Sequence, residues 1–209
     1  MTEQGSPEWH AMRCGKVTAS KIADMMAKTK TGWGASRTNY GAQLVAERLT
    51  GIVAESFTNA AMDWGILTEA EARNAYSFYG NVDVTPIDFV QHPEIAMSGC
   101  SPDGLVGEHG LVEIKCPNTA THIQTLLGGS IPGKYQLQMF WQMACTGRHW
   151  CDFVSYDPRM PEDMRLFVQR LARDDAKIGE ITTEVVAFLA EVDATVEQLT
   201  ALYRKQAAE

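Results

Sequence analysis

The sequence predicts an α/β chain, with a mixed central β-sheet flanked by helices and closed by a long C-terminal helix. Three observations carry that expectation. Helical spacing dominates the first eighty residues, short β-branched runs cut by Pro, Gly and Asp fill Val82 to Lys115, and a single apolar stripe runs through Ile178, Ile181, Val185, Phe188, Leu189, Val192, Val196, Leu199 and Leu202. Helices on either side of a strand cluster bury a sheet between layers. The chain has 209 residues, of which 45% are hydrophobic, and no Pro/Gly/Ser-rich linker, so one domain spanning 1–209 is expected.

The elements follow in order. Thr18 or Ser20 is placed to cap a short helix through "KIADMMAK", after which "TKTGWGAS" reads as a loop whose Lys28, Lys30 and Arg37 either touch phosphates or are simply solvated. Ser36 is expected to cap a helix that runs to Thr50 and stops at Gly51. A further helix covers about Asn59 to Tyr79, with Gly80 as its terminator. Three or four strands lie between Val82 and Lys115; "TATHIQTLLGG" and "GKYQLQMFWQMACTG" return to helical spacing; "HWCDFVSYDP" and "MRLFVQRLAR" read as two more strands. Asp174 to about Gln206 forms the closing amphipathic helix.

Composition narrows the function. With 18 Lys and Arg against 26 Asp and Glu, the net charge of −8 argues against a protein that coats polyanions nonspecifically, while leaving room for a carboxylate-rich cation site. Five cysteines without a CxxC pair suggest neither a disulfide framework nor structural zinc. The five histidines show no ligand spacing, and Trp141 and Trp150 sit in apolar segments that read as core rather than as base-stacking platforms. In "YDPRMP" Asp157 and Arg159 are expected to brace a turn. No signal peptide or bilayer-length apolar run is evident, so a soluble, cytoplasmic protein is expected.

The chemistry concentrates in "SPDGLVGEHGLVEIKCP", Ser101 to Pro117. Strand alternation puts Glu113 and Lys115 on one face and Val112 and Ile114 on the other, so the apolar face packs on helices and the charged face is expected to look into a solvent-filled cleft. If the hairpin pairs around a five-residue loop, Val106 to Gly110, Asp103 falls opposite Glu113; a four-residue loop would need a bulge near Gly104. Two converging carboxylates suit Mg²⁺ or Mn²⁺, and an adjacent lysine can orient or deprotonate water and stabilise charge on a phosphate. A surface hairpin carrying an ion pair is the bland alternative.

The blocks "EWHAMRCGKVTAS", "MDWGILTEAEARNAYSF", "SPDGLVGEHGLVEIKCP" and "KYQLQMFWQMACTGRHWCDFVSYDPRM", which together span most of Pro7 to Met160, resemble the phage lambda-type exonucleases. These are viral alkaline recombination nucleases of the PD-(D/E)xK superfamily. The resemblance implies a restriction-endonuclease-like core and a Mg²⁺-dependent 5′→3′ exonuclease, with Mn²⁺ able to substitute and two ions per site. It implies Asp103, Glu113 and the Ile114 carbonyl as metal ligands, Lys115 as the water-activating lysine, Gln138 on the nucleophile side and Glu69 in the second-metal region. Without the family, Glu69 and Arg73 would be an ordinary i,i+4 helix pair. Arg13, Ser20 and Ser101 match a pocket for a terminal 5′-phosphate, where a guanidinium forks onto phosphate oxygens and hydroxyls donate beside it. Met62 falls in the slot of a strand-separating wedge. The resemblance further implies linear double-stranded DNA as substrate, a ring-shaped homotrimer around it, and a single-strand annealing protein as partner. The rivals are an endonuclease of the same core and a non-catalytic DNA-binding protein that keeps the fold.

Overall fold

A computed structural model describes residues 4–54 and 60–204, with residues 60–62 and 66 described by backbone alone. The chain opens with α1 (Pro7–Arg13), β1 (Val17–Thr18), a 3₁₀ turn (Ala19–Lys21), α2 (Ile22–Met25), the pair β2 (Lys28–Thr29) and β3 (Gly32–Trp33), α3 (Ala35–Thr50) and α4 (Ala60–Gly80). Five short strands follow: β4 (Val84–Thr85), β5 (Val90–Gln91), β6 (Ser98–Cys100), β7 (Gly104–Val106) and β8 (Gly110–Lys115). Then come α5 (Thr119–Gly128), α6 (Gly133–Thr146), β9 (Trp150–Tyr156), β10 (Leu166–Ala172) and α7 (Asp175–Tyr203).

The main sheet has the order β10-β9-β8-β7-β4, with β8 and β9 parallel and the other neighbours antiparallel. A small sheet, β1-β6-β5, stands beside it. The main sheet is covered on both faces, as its alternation requires. Leu111, Cys151 and Phe153 point into a core shared with Met139, Met143, Phe188 and Leu44. Their neighbours Val112, Ile114, Val154 and Tyr156 point the other way, onto Ala72 and Tyr76 of α4. The helix α7 closes the first core by packing on α3 and α6, with Val185 and Phe188 fully buried. Asp174 caps it by accepting from the Lys177 N–H.

The mixed sheet, the flanking helices and the long last helix are as the sequence predicts, and Gly51 ends α3 in the left-handed conformation. Several local expectations fail for reasons of tertiary contact. Ser36 does not cap α3, which begins at Ala35 after Gly34. Neither Thr18 nor Ser20 caps α2; both hydroxyls turn toward Arg13 instead. The "TKTGWGAS" segment contains the β2–β3 hairpin, in which Trp33 lies beneath the Arg37 guanidinium and near Lys28. Arg37 itself is buried and bonded to Glu191 and the Met25 carbonyl, so it is not a solvated loop cation. The segment from Val82 to Lys115 holds five strands rather than three or four. All five cysteines are free, and Asp157 braces its turn by accepting from Arg159. Among the described residues no helix is long and apolar enough to cross a membrane.

The small sheet depends on one glycine. A Cβ at Gly99 would sit 2.5 Å from the Val90 carbonyl oxygen and 2.3 Å from the Phe89 ring, and the backbone contact cannot yield by a rotamer change. Gly99→Ala should therefore destabilise the protein by about 1–3 kcal/mol in chemical denaturation, the usual cost of forcing atoms into a packed site.

Candidate active site

The hairpin register decides what Asp103 meets. Gly104 pairs with Val112, Leu105 with Leu111 and Val106 with Gly110, so continuing the ladder one step sets Asp103 opposite Glu113. This is the register of the five-residue alternative, with one further pair formed and a connection of Gly107, Glu108 and His109. Gly107 takes a positive φ of 53° there, the left-handed conformation such short connections need. Asp103 is anchored by its Oδ2, which accepts from the Ile114 backbone N–H at 2.6 Å.

Glu113 lies on the same face of β8 as Leu111, and α6 covers that face. Instead of a solvent-filled cleft, the carboxylate finds itself 1% exposed. Its Oε1 accepts from Gln138 Nε2 at 2.6 Å and its Oε2 from Gln142 Nε2 at 2.5 Å, while the Lys115 ammonium pairs with Oε1. Glu69, on α4, pairs with Arg73 at 2.6 Å and is close enough to Glu113 and Lys115 to feel both charges.

These groups shift one another. Burial, and then the charges of Glu113 and Glu69, lift the Asp103 carboxyl well above its ordinary range despite Lys115 and the Ile114 N–H. Burial and Glu113 likewise raise Glu69, against the opposing pull of Arg73. Burial alone would lower the Lys115 ammonium, but Glu113 and Asp103 outweigh it and hold the group charged above its usual value.

A second cluster is built by the small sheet. The strands β1 and β6 run parallel, with Thr18 beside Gly99, so the residues that follow them emerge at the same edge. Arg13, at the end of α1, reaches Ser101 Oγ through Nη1 and both Thr18 Oγ1 and Ser20 Oγ through Nη2, each at 3.4 Å. Its guanidinium lies 3.8 Å over the Trp9 ring, and the Trp9 indole donates to Ser101 Oγ at 3.1 Å. Burial pulls the guanidinium down to about 10, still charged at neutral pH.

One cavity of about 900 Å³ joins the clusters, lined among others by Arg13, Thr18, Ser20, Glu69, Arg73 and Asp103. Glu113 is not part of that wall. Met62 lies in the first turn of α4, and its side chain falls outside the described residues.

A divalent cation fits this donor set. The charge of Glu113 raises both Asp103 and Glu69, and a hard cation beside them would relieve that crowding. Among the described residues no three His, Cys, Asp or Glu side chains gather closely enough to enclose an ion by themselves. An ion between Asp103 and Glu113 would thus complete its shell with backbone oxygen, water and substrate, as Mg²⁺ commonly does.

A family model described as the YqaJ-like viral recombinase domain matches residues 8–149. The chain belongs to that family. Its fold resembles the crystal structure of an alkaline exonuclease from Laribacter hongkongensis at 52% identity and a TM-score of 0.90, covering 96% of this chain and 100% of that one. A structure of the same enzyme in complex with dAMP matches with a TM-score of 0.91 at the same identity and coverage. A phage related exonuclease from Haemophilus somnus 129PT shares the fold at 15% identity, with a TM-score of 0.70 over 88% of this chain and 96% of that one. A search of curated proteins by sequence gave no significant match.

Within this viral recombinase fold, Asp103, Glu113, Lys115, Gln138 and Glu69 converge, and Arg13, Ser20 and Ser101 form the adjoining cluster. Four more residues belong to these clusters: Trp9 and Gln142, which the sequence did not single out, Thr18, expected there as a helix cap, and Arg73, expected as the helix partner of Glu69. Thr18 and Trp9 complete the surroundings of Arg13, Arg73 neutralises Glu69, and Gln142 holds the second oxygen of Glu113. The i,i+4 spacing of Glu69 and Arg73 is the sequence signal of their pair, and Gln142 lies four residues after Gln138 in an otherwise apolar helix, and so on the same face.

The raised carboxyls make a stability prediction. A group that binds its proton more tightly when folded favours the folded state at low pH, and that contribution is lost as pH rises through the folded value. In metal-free buffer the melting temperature should rise as pH falls from about 8 toward the ordinary carboxylate range near 4. Asp103→Asn should flatten that slope, since it keeps an acceptor for the Ile114 N–H and removes the proton.

Proposed function

We propose that the protein is a Mg²⁺-dependent exonuclease that digests one strand of linear double-stranded DNA 5′→3′ from 5′-phosphorylated ends, releasing mononucleotides and leaving 3′ overhangs. One observation carries this reading. A desolvated arginine flanked by hydroxyls, suited to an anion, shares a cavity with Asp103 and Glu69, two carboxylates next to the Glu113–Lys115 pair, and two chain steps separate Ser101 from Asp103. The exonuclease from Laribacter hongkongensis supports it, since dAMP is a mononucleotide of the kind such a reaction releases.

On this reading Asp103, Glu113 and the Ile114 carbonyl hold the metal, with Glu69 serving a second ion. Bound there, Mg²⁺ would act as a Lewis acid on the phosphate and lower the pKa of bound water. The chain's own residues do the rest. Arg13 forks onto the terminal phosphate while Ser20 and Ser101 donate to it. The Lys115 ammonium, fixed against Glu113, orients the attacking water and offsets the negative charge that develops on the phosphoryl oxygens. Gln138 holds Glu113 by donating to its Oε1, and on this reading it would flank the attacking water. Leu111 and Phe153 beneath the site keep bulk water from that side of the sheet.

The reading extends to partners. A homotrimeric ring enclosing DNA would let a chain of net charge −8 remain on its track by topology instead of bulk attraction. A single-strand annealing protein would take up the exposed 3′ strand, in the cytoplasm of a bacterial cell and as part of a phage or prophage recombination system.

Digestion of linear and covalently closed circular duplexes with Mg²⁺ or EDTA tests the reading. Linear DNA should yield mononucleotides with Mg²⁺ alone; cutting of circles would make the protein an endonuclease, and no release from either would remove the nuclease assignment. Lys115→Ala should lower turnover about a hundred- to thousandfold, the range for losing a transition-state charge donor, and bind DNA as the parent does. Arg13→Ala should bring 5′-phosphorylated and 5′-hydroxyl ends to equal rates; an unchanged preference would take Arg13 out of the pocket.

A further inference from the structure

Gln142 is fully buried in α6 between Trp141 and Met143, where an apolar residue would fill the same space. A buried amide is costly unless both its ends are partnered. Both are. Nε2 donates to Glu113 Oε2 at 2.5 Å, and Oε1 accepts from the Cys151 thiol at 3.8 Å. The amide nitrogen faces the carboxylate oxygen and the amide oxygen faces the thiol, whose other acceptor is the Asp152 carbonyl at 3.9 Å, so each end of the amide meets a complementary group. Burial and the nearby Glu113 and Asp152 hold the Cys151 thiol well above its usual range, so it keeps that proton. A chain of donors therefore runs from β9 through α6 to the carboxylate on β8.

Gln138 and Gln142, one turn apart, take one oxygen of Glu113 each. With Oε1 also facing Lys115, the carboxylate plane cannot rotate without losing a donor on each side. We infer that Gln142 is a positioning residue for metal binding: clamped by Cys151, it fixes the carboxylate of Glu113 and the lone pairs that it presents toward Asp103. The inference rests on the nuclease reading. Outer-shell partners of this kind typically change metal affinity by about 10–100-fold when removed, without touching the substrate.

Calorimetric titration of Mg²⁺ into the DNA-free protein tests this beside digestion and thermal melting. Gln142→Met keeps the volume and removes the donor. It should weaken Mg²⁺ binding about tenfold and raise the Mg²⁺ needed for half-maximal digestion by a similar factor, while saturating Mg²⁺ restores most of the maximal rate. A purely structural glutamine would lower the melting temperature and leave Mg²⁺ affinity alone, and affinity within about twofold of the parent would overturn the assignment. Should Gln142→Met not fold, Cys151→Ala leaves the glutamine and removes its clamp; affinity should drop about threefold and Cys151→Ser, which restores a donor, should recover it. Parental affinity in Cys151→Ala would also overturn the inference. Failure of the parent to bind Mg²⁺ or digest DNA would count against the nuclease reading itself, so the two outcomes are separable.

Discussion

The carboxylate of Glu113, sealed under a helix at 1% exposure, is the constraint around which the rest of the structure is arranged. A charge taken out of water is tolerable only where partners replace its hydration. Two amides and one ammonium do so here. Both amides come from one face of α6, and that face lies over Glu113 because Leu111, Cys151 and Phe153 pack against the same helix. Strand period and helix period thus have to agree at one point, and the apolar contacts on either side of the carboxylate hold them there. Removing any one donor would leave a buried charge short of a partner.

The small sheet performs a different task with almost no sequence. Its parallel pair, two residues on each strand, brings the ends of β1 and β6 to the same edge, which is where Ser20 and Ser101 are needed. From Ser101 the chain takes two steps to Asp103, a span of at most roughly 7 Å. The anion cluster and the carboxylate cluster are therefore joined by backbone rather than by a flexible linker. On the proposed reading this short, rigid connection is what confines hydrolysis to the bond next to a bound terminus.

Much of this was legible in the sequence because the signals were local. Glu and Lys two apart in an apolar run, after an aspartate and a glycine-containing turn, gave the hairpin register and the convergence of Asp103, Glu113 and Lys115. The long helices were legible from their stripes. What failed was contact-dependent. Alternation puts Glu113 on a face but does not say that a helix covers it. Ser20 offers a hydroxyl that suits a helix cap as well as a guanidinium, and only the docking of α1 decides between them. The helix α1 itself has seven residues and buries none of them, so no apolar stripe announced it; Ser6 and Pro7 start it, and what it contributes is Trp9 and Arg13. The spacing of Gln142 from Gln138 gives its face but not its partner, and a polar residue in a buried helix means little until that partner is known.

The placement of arginines argues further for an anion at the α1 edge. Arg37, Arg48, Arg73, Arg159, Arg170 and Arg173 each meet a carboxylate: Glu191, Asp193, Glu69, Asp157, Asp152 and Asp175. Arg148, Arg165 and Arg204 donate to backbone carbonyls instead, whereas the direct contacts of Arg13 are three hydroxyls and the face of an indole, with Glu47 acting on it without a direct bond. Neutral partners orient a guanidinium without cancelling its charge, and burial makes that charge more strongly felt by a ligand that displaces the remaining water. A phosphate entering the cavity would meet a cation already aligned, so the ordering entropy is met by folding and not by binding. With a net charge of −8 offering no long-range attraction, such preorganised short-range contact would be, on the proposed reading, the physical basis for selecting a DNA end.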